Sequence, residues 1–116
     1  MELQLISHQD KLVRVAVSGI INQDTTSRDN EPLEALIGLE TYNHTVMLNM
    51  TDTDLIDSSG IGWLLNCHKR FGDGGGRLII HSLPPIVANV FKLMRLETVF
   101  SMSDNEETAE RLAQEN

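Results

Sequence analysis

With 116 residues, of which 41% are hydrophobic, the chain fits one domain over residues 1–116 that can bury a core. It holds 17 acidic and 9 basic residues, and the net charge of −8 argues against nucleic-acid binding, which needs a basic surface. The single cysteine excludes an internal disulfide framework, and no apolar run approaches the ~20 residues of a membrane span, so we expect no direct membrane insertion.

The first half of the chain predicts two strands, a helix and a third strand. Residues 3–6 and 12–17 are rich in apolar and β-branched side chains, and the polar residues between them predict a hairpin. Pro32 stands where the first turn of a helix tolerates proline, and the apolar spacing after it predicts a helix over 31–41. Residues 46–50 are almost wholly apolar and predict a strand that is buried on both faces.

The second half predicts two further strands and three helices. The helix that starts near Ser59 is expected to end at the glycine-rich turn 72–76, and residues 77–81 predict a strand. A proline pair then opens a helix, residues 98–100 predict a short strand, and a capping-box pattern at 103–106 predicts a last helix. Two sets of side chains are expected to face the core: Ile61, Leu64, Leu65 and His68 in the earlier helix, and Ile86, Val87, Val90, Phe91, Leu93 and Met94 in the later one.

The order of these elements determines the expected fold class. Strands that alternate with helices predict an α/β domain in which most strands are parallel and helices form the crossovers. We therefore expect a mixed, mostly parallel β-sheet of about five strands with about four α-helices. Antiparallel pairing is expected in the first hairpin alone.

The most informative motif is Asp-Ser-Ser-Gly at residues 57–60. It follows the buried strand and an acidic, threonine-rich segment that predicts a turn, and an amphipathic helix pattern begins directly after it. A hydroxyl is thereby presented at a helix N-terminus, where free backbone N–H groups favour negative charge. A serine in this place can be an N-cap, a nucleophile or a phosphorylation target.

Four segments, in this order and spacing, resemble the STAS domain, the fold of bacterial anti-sigma factor antagonists and of the cytoplasmic tail of sulfate transporters. They are 15–19, 46–50, the specific signature turn within 56–62, and 75–78 followed by Pro85 and a helix that ends at Leu96. The resemblance covers essentially the whole chain. It implies a single STAS-like domain.

The resemblance also implies a regulatory role rather than an enzymatic one. In anti-sigma factor antagonists of this family, the first serine of the signature turn is phosphorylated by the partner anti-sigma factor, which is also a serine kinase. Carried over by motif, the phosphoacceptor is Ser58. The implied protein is cytoplasmic and bacterial, releases a sigma factor when unphosphorylated, has a serine phosphatase as a second partner, and forms at most a weak homodimer.

The expected partner-binding residues surround this serine and are Asn22, Asp57, Ser59, Gly60, Gly62 and Trp63. On a helical wheel, Trp63 lies opposite the predicted core stripe, which favours an exposed interface anchor; the alternative is a tryptophan that lies over the neighbouring loop. Family members often carry an acidic residue where this chain has Asn22. The two helix glycines indicate close backbone approach, by the sheet or by a partner.

Other site classes are poorly supported, and we expect no cofactor, metal or catalytic residue. The turn lacks the Gly-x-Ser-x-Gly of a nucleophile elbow, the glycine-rich turn lacks the Lys-Ser/Thr of a phosphate loop, and the acidic segment fails as a calcium loop. The histidines and Cys67 lack zinc-ligand spacing. The main alternative function is a scaffold or accessory subunit of a signalling or membrane lipid-transport complex, without regulated phosphorylation. A small-molecule or nucleotide-binding module is less supported.

Overall fold

The computed structural model describes residues 1–22, 31–38 and 40–115. Most of the polar segment that precedes the first helix therefore lies outside the described residues. The described elements, in chain order, are β1 (Glu2–Gln9), β2 (Leu12–Ile21), α1 (Pro32–Ile37), β3 (Thr45–Ile56), α2 (Ser58–Gly74), β4 (Arg77–His81), α3 (Pro85–Leu93), β5 (Ser101–Ser103) and α4 (Glu106–Gln114). Two short 3-10 turns, Thr41–Asn43 and Leu96–Thr98, complete the connections.

The five strands form one sheet in the order β1-β2-β3-β4-β5. The β1–β2 hairpin is antiparallel, and the β2–β3, β3–β4 and β4–β5 pairs are parallel. Helical crossovers between neighbouring parallel strands place helices on the faces of the sheet. The predicted α/β fold, with a mostly parallel sheet and four helices, is confirmed.

The two faces of the sheet bury unequal cores. Alternate residues of β2, namely Val13, Val15 and Val17, point into the larger core, which also receives buried side chains from α1, α2 and α3. On the other face, Met47 and Ile79 form a small cluster with Ala109 of α4. Leu112 and Ala113 of α4 also pack against this cluster.

Strand β3 is much longer than the predicted 46–50 and carries the signature turn beyond the body of the sheet. It pairs with β4 only from Thr45 to Asn49, whereas its pairing with β2 continues to the Ile21–Ile56 pair. The acidic segment predicted as a turn is therefore strand. Two register shifts against β2 absorb extra β3 residues, and such bulges allow a polar, irregular sequence to remain paired.

Other predicted boundaries also differ. The first helix ends at Ile37 instead of continuing to 41, and the predicted strand 98–100 is replaced by the 3-10 turn Leu96–Thr98 followed by β5. Helix α2 continues through the glycines to Gly74. A Cβ at Gly74 would lie 2.7 Å from Tyr42 Cβ, so close packing on Tyr42 explains a glycine that helix propensity disfavours.

The first turn of α2 lies directly against the end of β2 at Gly60. A Cβ at this position would collide with the Ile21 carbonyl oxygen and would lie 2.8 Å from Ile56 Cγ1. The predicted close backbone approach is therefore confirmed for Gly60, and the sheet makes it. This contact determines where α2 begins relative to the sheet.

Trp63 ties α2 to the start of α1. Its indole Nε1 donates to Glu31 Oε1 at 2.8 Å, and the same carboxylate accepts the Leu33 backbone N–H, which makes Glu31 the N-cap of α1. Only 8% of the Trp63 surface is exposed, so the prediction of an exposed anchor is wrong. The buried arc of α2 is centred on Leu64 and Cys67, which leaves Trp63 on its rim and within the core.

A second set of polar contacts, around Arg70, also connects α2 with α1. Arg70 Nη1 lies 3.2 Å from the Tyr42 hydroxyl and 3.3 Å from Glu34 Oε2, and its guanidinium lies over the Tyr42 ring. Burial raises the pKa of Tyr42 to about 12, although the Arg70 hydrogen bond acts in the opposite direction. The phenol therefore stays protonated at neutral pH and can donate to Glu31.

We expect Gly60→Ala to lower the free energy of unfolding by about 1–3 kcal/mol, because the added methyl must displace the end of β2. Gly62→Ala is the matched control, since a Cβ there meets nothing within 4 Å and alanine is the better helix former. Urea unfolding measures both variants. Equal stability of Gly60→Ala and the wild type would contradict the close contact.

We expect Trp63→Phe to lower the free energy of unfolding by about 1–3 kcal/mol, because it leaves the Glu31 carboxylate without its indole donor. Glu31→Gln retains an acceptor and should have a smaller effect. Chemical denaturation followed by far-UV circular dichroism suits both variants, since Trp63 is the only tryptophan. A smaller loss for Trp63→Phe than for Glu31→Gln would argue against this hydrogen bond.

Candidate functional site

The signature turn joins the end of β3 to α2, and its backbone is fixed by both neighbours. Asp57 N–H donates to the Ile21 carbonyl oxygen at 3.3 Å, which ties the turn to the end of β2. The Asp57 carboxylate accepts the Gly60 N–H at 3.0 Å and is the N-cap of α2. Asp57 thus satisfies one of the helix N–H groups that would otherwise lack a partner.

Both serines of the turn are exposed. Ser58 and Ser59 are the first two residues of α2, directly after the cap. Because Asp57 performs the capping, the fold does not need the Ser58 hydroxyl for that purpose. The hydroxyl is accessible to a modifying enzyme at a helix end that favours an added negative charge.

The exposed face of α2 continues from Ser58 through Gly62. This glycine lies in the helix interior, where glycine is about 1 kcal/mol less favourable than alanine, and a Cβ there would meet nothing in the described chain. Leu65, predicted to face the core, is exposed on the same side of the helix. Packing among the described residues therefore does not explain Gly62, and partner contact there stays a prediction.

Asn22 and Trp63, which were also predicted to contact a partner, differ in how exposed they are. Asn22 directly follows β2, next to the Ile21 carbonyl that holds the turn, and is partly exposed. Trp63 is in the core, although the helical wheel assigned it to solvent, and it binds Glu31 at the start of α1. The Trp63 side chain therefore has almost no surface to offer a partner.

Sequence reasoning missed an apolar pair beside the turn. Ile20 and Leu55 are cross-strand neighbours near the ends of β2 and β3, and they are 43% and 44% exposed. Asp52 and Asp54 are exposed on the same part of β3. The sequence signal is the apolar Leu55 within the acidic segment, and the turn predicted there hides it, because a turn would not align Leu55 with Ile20.

The titratable groups near α2 and β4 show little sign of catalytic activation. Burial raises the pKa of the Cys67 thiol, which keeps it in the protonated and less nucleophilic form. Burial also lowers the pKa of His81, whose Nδ1 lies 2.8 Å from Ser82 Oγ. Within the part of the chain that the structure describes, no group of three or more His, Cys, Asp or Glu residues is arranged to hold a metal ion.

Among the described residues, no helix is long and apolar enough to cross a bilayer. The longest, α2, has 17 residues and includes several charged side chains.

A curated relative is similar to this chain along nearly its whole length. It is the anti-sigma F factor antagonist of Paenibacillus polymyxa, 24% identical over 110 residues, which span 94% of this chain and 93% of the relative. At this identity, the match indicates common descent more strongly than it indicates a shared partner.

Solved structures share the fold. A Thermotoga maritima protein proposed to be an anti-sigma factor antagonist superposes with a TM-score of 0.83 at 19% identity, with 97% of this chain and 95% of that chain covered. The anti-sigma factor antagonist SpoIIAA in its unphosphorylated form gives 0.67 at 21% identity, covering 98% and 100%. The phosphorylated form of Bacillus SpoIIAA gives 0.64 at 22% identity, covering 96% and 99%.

The STAS domain family model matches residues 4–109, which include most of β1, the whole of the other four strands and the whole of the signature turn. The geometry agrees with this match, because the Asp-Ser-Ser-Gly residues form the cap and first turn of a helix that follows a central parallel strand. The chain therefore belongs to the STAS domain family.

Proposed function

We propose that this protein is an anti-sigma factor antagonist that binds an anti-sigma factor through the surface around Ser58. The observation that carries the proposal is the exposed Ser58 hydroxyl in the first turn of α2, with helix capping performed by Asp57. A similar protein from Paenibacillus polymyxa is an anti-sigma F factor antagonist, and most of its length aligns with this chain. The proposed role needs no chemistry from this protein and is carried out in the cytoplasm.

The proposed regulation is phosphorylation of Ser58 by the anti-sigma factor, acting as a serine kinase. A protein of the same fold, Bacillus SpoIIAA, has a structure in a phosphorylated form. Phosphorylation would add about −1.5 to −2 charges at neutral pH. A serine phosphatase would restore the unmodified state.

Electrostatics then explain how one phosphate would end binding. The N–H groups of the first turn of α2 favour a negative charge, so the fold should tolerate the phosphate. The partner interface should not tolerate it, because the Asp57 carboxylate is adjacent and Asp52 and Asp54 are exposed nearby. Burying an uncompensated charge against these carboxylates outweighs several good contacts. We expect a local switch with little change in the fold.

The first experiment is intact-mass analysis after incubation with ATP and the partner that co-purifies from the native host. We expect the wild type to gain one phosphate and lose the complex, and Ser58→Ala to gain none and remain bound. Ser59→Ala is the matched control, since Ser59 is equally exposed in the same turn. Ser58→Asp should bind at least about tenfold more weakly, because it imitates the added charge.

A stable partner with no phosphate transfer would overturn the switch. It would leave a constitutive STAS scaffold, for example in a signalling or membrane lipid-transport assembly. Phosphate on a Ser58→Ala/Ser59→Ala double variant would move the modification away from this turn, whereas phosphate on Ser58→Ala but not on the double variant would place it on Ser59.

We expect Gly62→Ala to raise the free energy of unfolding by about 0.5–1 kcal/mol and to weaken partner binding. Stability should increase because alanine is the better helix former and its Cβ meets no described atom within 4 Å. Affinity should decrease because the added methyl lies on the exposed face of α2 that also carries Ser58. Thermal unfolding and isothermal titration calorimetry test the two effects on one preparation. Unchanged affinity would remove Gly62 from the interface.

A further inference from the structure

The inward side of helix α3 borders a cavity. Val87 and Phe91 of this helix are buried as predicted, but the prediction of core positions is wrong for three residues that are more than half exposed: Ile86, Leu93 and Met94. Between α3 and the edge strand β5 lies an open cavity of about 360 Å³, which Phe91 lines. Ligand pockets range from about 300 to 1,000 Å³, so this one fits a small ligand.

The cavity reaches the place where the chain changes from one face of the sheet to the other. Helix α3, which follows β4, packs on the larger core through Phe91, whereas α4, which follows β5, packs on the opposite face through Ala109. The connections that leave these two neighbouring parallel strands therefore diverge. In open α/β sheets, ligands bind in the crevice at such a point. Leu83, which comes after β4, and Asp104, which comes after β5, both line the cavity.

The lining combines an apolar floor with three charged side chains. The floor consists of residues that belong to the larger core or pack against it: Leu83, Phe91 and Met102. The charged residues of the lining are all exposed to solvent: Lys92, Glu97 and Asp104. Within the described residues, none of these three takes part in an ion pair. Their charged groups are therefore available to a ligand.

These charges select between classes of small molecule. A nucleotide or another polyanion would meet two carboxylates for one ammonium group, on a chain of net charge −8. A simple amine would be attracted by Glu97 and Asp104 but repelled by Lys92. A molecule with one positive and one negative group satisfies both signs, and the apolar floor favours one that also carries an apolar body.

We infer that the cavity binds a free α-amino acid with an apolar side chain. Lys92 pairs with the carboxylate of the ligand, and Glu97 and Asp104 pair with its ammonium group. The apolar side chain of the ligand lies against Phe91 and Met102. Because exposed ion pairs contribute little each, recognition needs both charges and the apolar contact together. Among the described residues that line the cavity, none belongs to the signature turn, so the inference goes beyond the proposed function and does not depend on it.

Titration of the isotope-labelled chain with L-leucine, followed by two-dimensional amide NMR, tests the inference. We expect saturable shifts of signals from residues 97–104, with a Kd below about 10 mM. Three analogues each remove one feature: glycine lacks the apolar body, 3-methylbutylamine lacks the carboxylate, and 4-methylpentanoate lacks the ammonium group. Each should bind about threefold to tenfold more weakly than L-leucine.

The same titration on variants locates the site. Lys92→Gln and Asp104→Asn should each raise the Kd for L-leucine about threefold to tenfold. Lys69→Gln is the matched control and should leave the Kd unchanged, because Lys69 is an exposed lysine of α2, away from the cavity lining. All three variants should unfold at the temperature of the wild type, since the changed side chains are exposed.

Three results would overturn the inference. The first is a lack of saturable binding of L-leucine up to about 10 mM. The second is an unchanged Kd in both Lys92→Gln and Asp104→Asn, which would place the bound L-leucine elsewhere on the chain. The third is tighter binding of 3-methylbutylamine than of L-leucine, which would assign the cavity to a cationic amine.

Discussion

The structure depends on the close approach of α2 to the end of β2. Gly60 allows the first turn of the helix to lie against the Ile21 carbonyl, and the Asp57 N–H donates to the same oxygen. Two contacts with one carbonyl therefore fix both the turn and the helix axis. The position of Ser58 follows from them, because it lies between these two anchored residues.

The residues that stabilise this turn are different from the residue at which regulation is proposed. Asp57 caps α2, Gly60 makes the sheet contact, and Ser58 between them is exposed. This division allows a proposed charge change at Ser58 without loss of a fold-stabilising hydrogen bond. It would also place the phosphate next to the Asp57 carboxylate, which already accepts a hydrogen bond from the Gly60 N–H.

Two exposed positions hold residues that do not serve local stability. Gly62 lies in a helix interior with open space around it, and Arg95 adopts a conformation that glycine would adopt more easily. Gly62 lies within α2, and Arg95 follows the end of α3. Natural proteins tolerate such deviations where function requires them.

The sequence by itself determined the α/β order of elements, the antiparallel hairpin and the serine turn, because these depend on local periodicity and turn chemistry. It could not determine the length of β3, since pairing with β2 keeps a polar, bulged segment extended. It also misplaced Trp63, which is buried, and Leu93 and Met94 at the end of α3, which are exposed. A helical wheel shows which side chains share a face, but packing against the rest of the fold decides which face is covered. The Trp63 indole lies in the core and binds Glu31 at the start of the distant α1, whereas Leu93 is 85% exposed.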